Sequence, residues 1–229
     1  MTKLTTTMKA LALVACALGA TPALQAQETK GDPKAGARKV DMCIGCHGIV
    51  GYQASFPEVY KVPKISGQTA TYLTSALTAY RAGERRHPSM RGIADTLTDQ
   101  DIADIAAYYQ QHGHEDGAQA LAAEPSRKPS AQVDALLKKG ICISCHGANF
   151  SKPNDASTPR LAGQNADYLY VALRSYKTEH NPQFGRSNAV MGALVKQFSN
   201  AELKALASYI GSLDGELKTV PESRFHQAR

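Results

Sequence analysis

Two pentapeptides carry most of the chemistry available to this chain. They are Cys43-Ile44-Gly45-Cys46-His47 and, 99 residues later, Cys142-Ile143-Ser144-Cys145-His146. Each places two thiols three apart and follows the second with an imidazole. On a short helical turn two such thiols lie close enough to bond both vinyl groups of one porphyrin, and the histidine presents its ring to the iron. C-x-x-C-H is the covalent attachment pattern of c-type haem. Zinc fits less well, because 95 residues separate the two pairs and a zinc ribbon spaces its pairs by roughly 15–20. A thioredoxin-like C-x-x-C sits beside a βαβ pattern, and no β-rich alternating run occurs here. Two disulfides, each closing a Cys pair in an oxidising compartment, leave the two histidines without a reason. The expectation is two covalently bound haem c groups, with Cys43, Cys46, Cys142 and Cys145 as attachment points and His47 and His146 as iron ligands.

A haem iron held by one histidine needs a second axial ligand or an open site. Behind the N-terminal leader only Met42, Met90 and Met191 remain. Met42 adjoins Cys43 and is tied to the proximal side. Met90 and Met191 follow their histidines by 43 and 45 residues, one per motif, each in what reads as a loop before a final helix. A thioether is neutral and soft and favours Fe(II). Core filling is the plain role of a methionine, but the matched positions favour ligation. His87 and His180 compete, yet they lie at unmatched offsets and read as surface residues. The other ring nitrogen of an iron-bound histidine normally donates to a carbonyl or carboxylate, and the carbonyls of Pro63 and Pro159 can serve. Arg81, Arg85, Arg86, Arg91 and Lys64, with Arg160, Arg174 and Lys177, are candidate partners for haem propionates.

The elements that position these residues repeat. Asp32-Pro33 reads as an N-cap with proline at the first helical position, opening a helix to about Met42. Gly48 to Val62 reads as irregular. Pro63-x-x-x-Gly67-Gln68 then leads a helix to about Arg81 whose Tyr72, Leu73, Ala76, Leu77 and Tyr80 share a face. Thr98 caps a last helix running to about Gln111. Val133 to Lys139 leads into the second haem motif. Pro159-x-x-x-Gly163-Gln164, the face Tyr168, Leu169, Ala172, Leu173 and Tyr176, and a capping box at Ser199 and Glu202 restate the series. The offsets of 99, 96 and 101 place length changes in loops, where a duplicated domain diverges. The second repeat is three residues shorter before the proline and five longer between tyrosine and methionine.

The fold class expected is all-α: two tandem domains related by internal duplication. Residues 1–26 read as a secretory signal peptide, with Lys3 and Lys9 before an apolar run too short to span a bilayer. Residues 27–115 form the first domain, 116–129 a linker rich in Gly, Ala, Glu, Pro and Ser, and 130–229 the second domain. Leu13-Val14-Ala15-Cys16 offers lipoprotein processing as a rival. The 229-residue chain is 43% hydrophobic, lacks tryptophan and carries a formal charge of +6. Loss of the two leader lysines leaves 24 basic and 20 acidic residues, which four haem propionates would largely cancel. No clustered basic face or aromatic-basic motif supports nucleic-acid binding. No second apolar run exists, so membrane contact is at most peripheral.

With its doubled C-x-x-C-H, paired Pro-x-x-x-Gly-Gln segments, methionine before the final helix, and Ile105-Ala106-Ala107-Tyr108 or Leu206-Ala207-Ser208-Tyr209 within that helix, the chain resembles the two-domain dihaem class I cytochromes c of the cytochrome c4 family. The resemblance implies His47 and Met90 as axial ligands of haem one and His146 and Met191 as those of haem two, with the propionate edges near the domain interface. It implies a soluble periplasmic electron carrier, not an enzyme, taking electrons from a cytochrome bc-type donor toward a haem–copper terminal oxidase. A cytochrome subunit of a periplasmic dehydrogenase of the flavoprotein sulfide dehydrogenase type would look alike. A small dihaem peroxidase or a thiosulfate-oxidising cytochrome needs an open iron or a different ligand, and no spare cysteine lies near either methionine. In the family a glycine of the first helix packs against the last helix. Gly36 fits, and its counterpart by offset is Ala135, which implies wider packing there.

Overall fold

The structure is a computed structural model that describes residues 29–114 and 120–221. The leader reading, Cys16 and His226 lie outside the described residues. The first domain contains α1 (Pro33–Gly36), α2 (Asp41–His47), the strands β1 (Gln53–Ala54) and β2 (Tyr60–Lys61), α3 (Ala70–Ala82), β3 (Arg85–Arg86), α4 (Pro88–Ala94) and α5 (Asp99–Gln111). The second contains α6 (Ala131–Lys139), α7 (Ile143–His146), α8 (Ala166–Ser175), β4 (Gly185–Arg186), α9 (Ala189–Lys196) and α10 (Asn200–Gly211). The expected all-α duplication is therefore present, with four two-residue strands added to it.

The last helix of each domain carries its core. Thr98 accepts from the Asp101 N–H while the Asp101 carboxylate accepts from the Thr98 N–H, and Ser199 and Glu202 repeat the arrangement. Each box satisfies donors that a helix start otherwise leaves open. Ile105, Ala106 and Tyr109 of α5 pack with Val40, Ile44 and Leu73. Leu203, Leu206 and Ile210 of α10 pack with Val133, Leu136, Leu137 and Leu169. Burying one such side chain contributes about 1.5–3 kcal/mol.

Several expectations need correction. The helix expected from Pro33 to Met42 is two pieces, because the chain turns at residues 37–40 to bury Val40 completely. Gly36 does lie against α5, where an added Cβ would meet the Asp104 carbonyl at 2.1 Å. Ala135, in contrast, is exposed; α6 buries Val133, Leu136 and Leu137 instead, so sequence offset does not carry the Gly36 position across. The stretch expected to be irregular holds the β1–β2 hairpin. The segment read as an interdomain linker is partly docked on the second domain: the Leu121 and Ala122 carbonyls accept from Lys152 and Asn149.

Equivalent segments of the two repeats face each other about a pseudo-two-fold axis. β3 pairs antiparallel with β4, setting Arg85 opposite Arg186, residues 101 apart like the two methionines. The paired Pro-x-x-x-Gly-Gln segments interlock reciprocally. Gln164 accepts from the Lys64 N–H at 2.9 Å and donates to the Lys64 carbonyl at 2.9 Å. Gln68 accepts from the Arg160 N–H at 3.0 Å and donates to the Arg160 carbonyl at 3.0 Å. The Lys64 ammonium reaches the Gly163 carbonyl at 2.6 Å, and the Arg160 guanidinium reaches the Gly67 carbonyl at 2.7 Å. Both glutamines are 4% exposed. Gly67 has φ +83° and Gly163 φ +72°, a region where a side chain is strained. The chain after α10 returns to the first domain, where the Lys218 N–H donates to the Ser66 carbonyl at 3.0 Å.

Candidate functional site

Each C-x-x-C-H motif closes a short helix, α2 or α7, that ends on its histidine. His47 is tied by Nδ1 to the Pro63 carbonyl at 2.8 Å, and His146 by Nδ1 to the Pro159 carbonyl at 3.1 Å. A carbonyl can only accept, so Nδ1 carries the proton and Nε2 keeps its lone pair. Burial lowers both imidazole pKa values, against the opposing effect of the carbonyl contact, and keeps the rings neutral. A neutral ring with a fixed tautomer is what a metal-ligating histidine requires. None of the four motif cysteines is joined in a disulfide, which leaves each pair available for thioether links.

Both motifs, both proline carbonyl positions, and Met90 and Met191 line one continuous cavity of about 1090 Å³ that runs through both domains and their interface. The methionines are not in loops, as read from sequence. Met90 is the third residue of α4 and Met191 the third of α9. Proline at the first position of α4 and an Asn188 side chain accepting from the Met191 N–H at 2.9 Å start these helices. His87 takes the N-cap place that Asn188 takes in the second repeat. It is half-buried rather than a surface residue, with Nε2 at 3.0 Å from the Tyr60 hydroxyl. His180 is exposed.

The candidate propionate partners sort themselves. Arg81 bonds Asp99, Arg91 pairs with Asp95, Arg174 with Glu58 and Arg160 with Glu216. Lys177 donates to the Phe198 carbonyl, and Lys64 spans the interface. Two guanidiniums on the cavity remain: Arg85 and Arg186, the latter missed in the sequence reading although its offset of 101 from Arg85 matches that of the methionines. Arg85 donates to the Tyr72 and Tyr168 hydroxyls at 3.2 and 2.8 Å, and Arg186 to Tyr168 at 3.0 Å. Arg85 lies 4.6 Å over Tyr80 and Arg186 5.4 Å over Tyr176. The tyrosines of the repeated helical faces thus turn their polar ends to the interface. Burial opposes ionisation of the Tyr168 hydroxyl, but the Arg186 and Arg85 charges outweigh it and lower its pKa.

Among the described residues no carboxylate is bonded to Arg85 or Arg186, and Arg85 Nε is buried without a partner. Buried cations are costly unless anions meet them. A porphyrin carrying two propionates supplies such anions, and the apolar walls, paired thiols, neutral imidazoles and thioethers supply the rest of a haem site. The residues lining this cavity therefore fit two haems, and Arg85 and Arg186 would meet their propionates.

Comparison with known proteins agrees. The family described as Cytochrome c matches twice, over residues 33–113 and 130–214. Cytochrome c4 of Azotobacter vinelandii is 31% identical over 219 residues, covering 90% of this chain and 99% of the relative. A thiosulfate dehydrogenase electron acceptor of Stutzerimonas stutzeri is 29% identical over 200 residues, covering 83% of this chain and 89% of the relative. The crystal structure of reduced recombinant cytochrome c4 from Pseudomonas stutzeri superimposes with a TM-score of 0.56 at 29% identity, over 80% of this chain and all of that one. The motifs, the duplicated helical domains and these likenesses together make the chain a member of the dihaem cytochrome c4 family, carrying two covalently bound haem c groups.

Proposed function

We propose that the chain is a periplasmic electron carrier working through two six-coordinate haems, the first ligated by His47 and Met90 and the second by His146 and Met191. Cys43 and Cys46, and Cys142 and Cys145, form the thioether links. Residues 1–26 act as the secretory leader, and 27–115 and 130–229 are the two domains, joined through 116–129. The observation that carries this reading is that each domain brings one carbonyl-oriented histidine and one helix-borne methionine to the same cavity.

The haem irons supply one-electron chemistry. The chain holds and tunes them. The Pro63 and Pro159 carbonyls fix the imidazoles, the methionines favour the ferrous state, and Arg85 and Arg186 meet the propionates. Met90 and Met191, as second ligands opposite His47 and His146, would leave no open place at iron for a substrate, which would separate a carrier from a peroxidase. The expected acceptor is a haem–copper terminal oxidase and the expected donor a cytochrome bc-type complex. The relative named a thiosulfate dehydrogenase electron acceptor favours a second reading, in which the donor is a sulfur-oxidising dehydrogenase.

Carbon monoxide and hydrogen peroxide test the carrier reading. The reduced protein is expected to bind no carbon monoxide, and peroxide to produce no turnover, at neutral pH. Rapid binding at either haem would make the protein an enzyme with an open iron. Comparing reduction rates with a thiosulfate dehydrogenase and with a bc-type complex separates the two donors.

A further inference from the structure

The polar cluster on the pseudo-two-fold axis is not symmetric. Tyr72 and Tyr168 hold the same place in the repeated helical face, 96 residues apart, and Arg85 and Arg186 face each other in β3 and β4. A symmetric cluster would give the two tyrosines the same guanidinium contacts. Instead the Tyr168 hydroxyl accepts from Arg85 at 2.8 Å and from Arg186 at 3.0 Å, while the Tyr72 hydroxyl accepts from Arg85 alone, at 3.2 Å. A hydroxyl oxygen has two lone pairs, and at Tyr168 both are engaged. Two like charges are thereby drawn to one atom.

The asymmetry has a source in the sequence. The first repeat is three residues longer than the second between histidine and proline, and Tyr60 lies in that stretch. The second is five longer between tyrosine and methionine, and Phe184 lies in that one. The two unequal stretches meet at the interface. Tyr60 and Phe184, both buried, form with Val171 a small apolar cluster against which Tyr168 packs, with the Tyr60 and Tyr168 rings 6.2 Å apart. Tyr60 is itself tied down, its hydroxyl 3.0 Å from His87 Nε2. Among the described residues no apolar cluster holds Tyr72 in this way. A side chain locked by its packing carries its polar end to a fixed point.

We propose that Tyr168 is a positioning residue that couples the two haem sites: its hydroxyl, fixed by the Tyr60–Phe184 cluster, holds Arg85 and Arg186 together, so that one atom places the positive charge that both haems meet. The proposal rests on the two-haem reading of the cavity, which Tyr168 and both arginines line. Without the shared oxygen the two guanidiniums repel and move apart, and their support of the ferrous state weakens at both haems together.

Optically monitored potentiometric titration of the haem-loaded protein tests this. Tyr168→Phe keeps the ring and its packing and removes the hydroxyl. Both haem potentials are expected to fall, each by a roughly threefold or greater change in the ferric-to-ferrous equilibrium, or about 28 mV at 59 mV per tenfold. Tyr72→Phe is expected to have the smaller effect, because its hydroxyl meets Arg85 alone. In a protein already carrying Arg85→Gln and Arg186→Gln, Tyr168→Phe is expected to change neither potential, because it acts only through those side chains. If that background folds poorly, the single variants decide alone. Unchanged potentials in Tyr168→Phe overturn the proposal, as does a fall confined to one haem or an equal fall in Tyr72→Phe. A shift that persists without the two arginines overturns it equally. The iron–methionine band of the same samples reports ligation separately. Its absence from the wild type would overturn the carrier reading, whereas an intact band with unchanged potentials removes only the role of Tyr168.

Discussion

At the scale of single residues, each imidazole is poised by what its far nitrogen touches. The Pro63 and Pro159 carbonyls accept from Nδ1 of His47 and His146 and so dictate the tautomer. Arg85 and Arg186 act by charge. A buried cation near an iron disfavours the ferric state, so Arg85→Gln and Arg186→Gln are expected to lower the haem potentials. At an effective dielectric near 20 and a separation near 10 Å the effect is about 1–2 kcal/mol, or roughly 40–85 mV. Potentiometric titration of each variant reads this directly, and an unchanged potential would remove these arginines from the propionate assignment. That the cysteines, histidines and methionines would gather at one cavity was legible in the sequence because their chemistry is local and their spacing repeats. Arg186 was not: it was hidden in a two-residue strand, which has no periodicity, and its role exists only once Tyr168 and Arg85 are brought against it.

At the scale of elements, the helices with caps and apolar faces were legible and the short ones were not. α5 and α10 declare themselves through Thr98 with Asp101 and Ser199 with Glu202. α4 reads as a loop because His87 precedes a proline and only seven residues follow; its helical state is set by packing on α3 and by the site. The break between α1 and α2 follows from burying Val40, which no local propensity announces. Asp104 binds these elements together. It accepts from the Asp32 N–H at 2.8 Å, from Lys39 at 2.6 Å and from Gln100 at 2.8 Å, and is 2% exposed. Burial raises its pKa, but these three donors and the Lys39 charge outweigh that and lower it. A carboxylate depressed in the folded state stabilises above its unfolded pKa, near 3.9, and that stability is lost as pH falls through the folded value. Asp104→Asn is therefore expected to cost about 2–4 kcal/mol at pH 7 and to flatten the loss of stability below about pH 4. Urea unfolding across pH 3–7 checks both. An unaltered acid limb would show that other carboxylates control it.

At the scale of the molecule, the Pro-x-x-x-Gly-Gln segment joins the two functions of the fold. Its proline carbonyl orients the iron-ligating histidine, and the next carbonyl, of Lys64 or Arg160, takes the amide of the opposite repeat's glutamine. The duplication of the segment was visible in the sequence, but its pairing across the axis was not, because a single chain does not disclose which repeated surfaces meet. The interlock predicts cooperative unfolding. Removing both amides in Gln68→Ala/Gln164→Ala leaves buried backbone groups unpaired, at about 1–3 kcal/mol each, and is expected to split one thermal transition into two. A single transition in the double variant would assign the coupling to other contacts. The central claim, two haems each closed by His and Met, meets its most direct test in the optical spectrum of the mature protein with a pyridine haemochrome count. The account predicts two c-type haems per chain, low-spin, with the weak iron–methionine charge-transfer band halved in Met90→Ala, halved in Met191→Ala and absent in the double variant. A high-spin component in the wild type, or a band that survives either substitution undiminished, would contradict it.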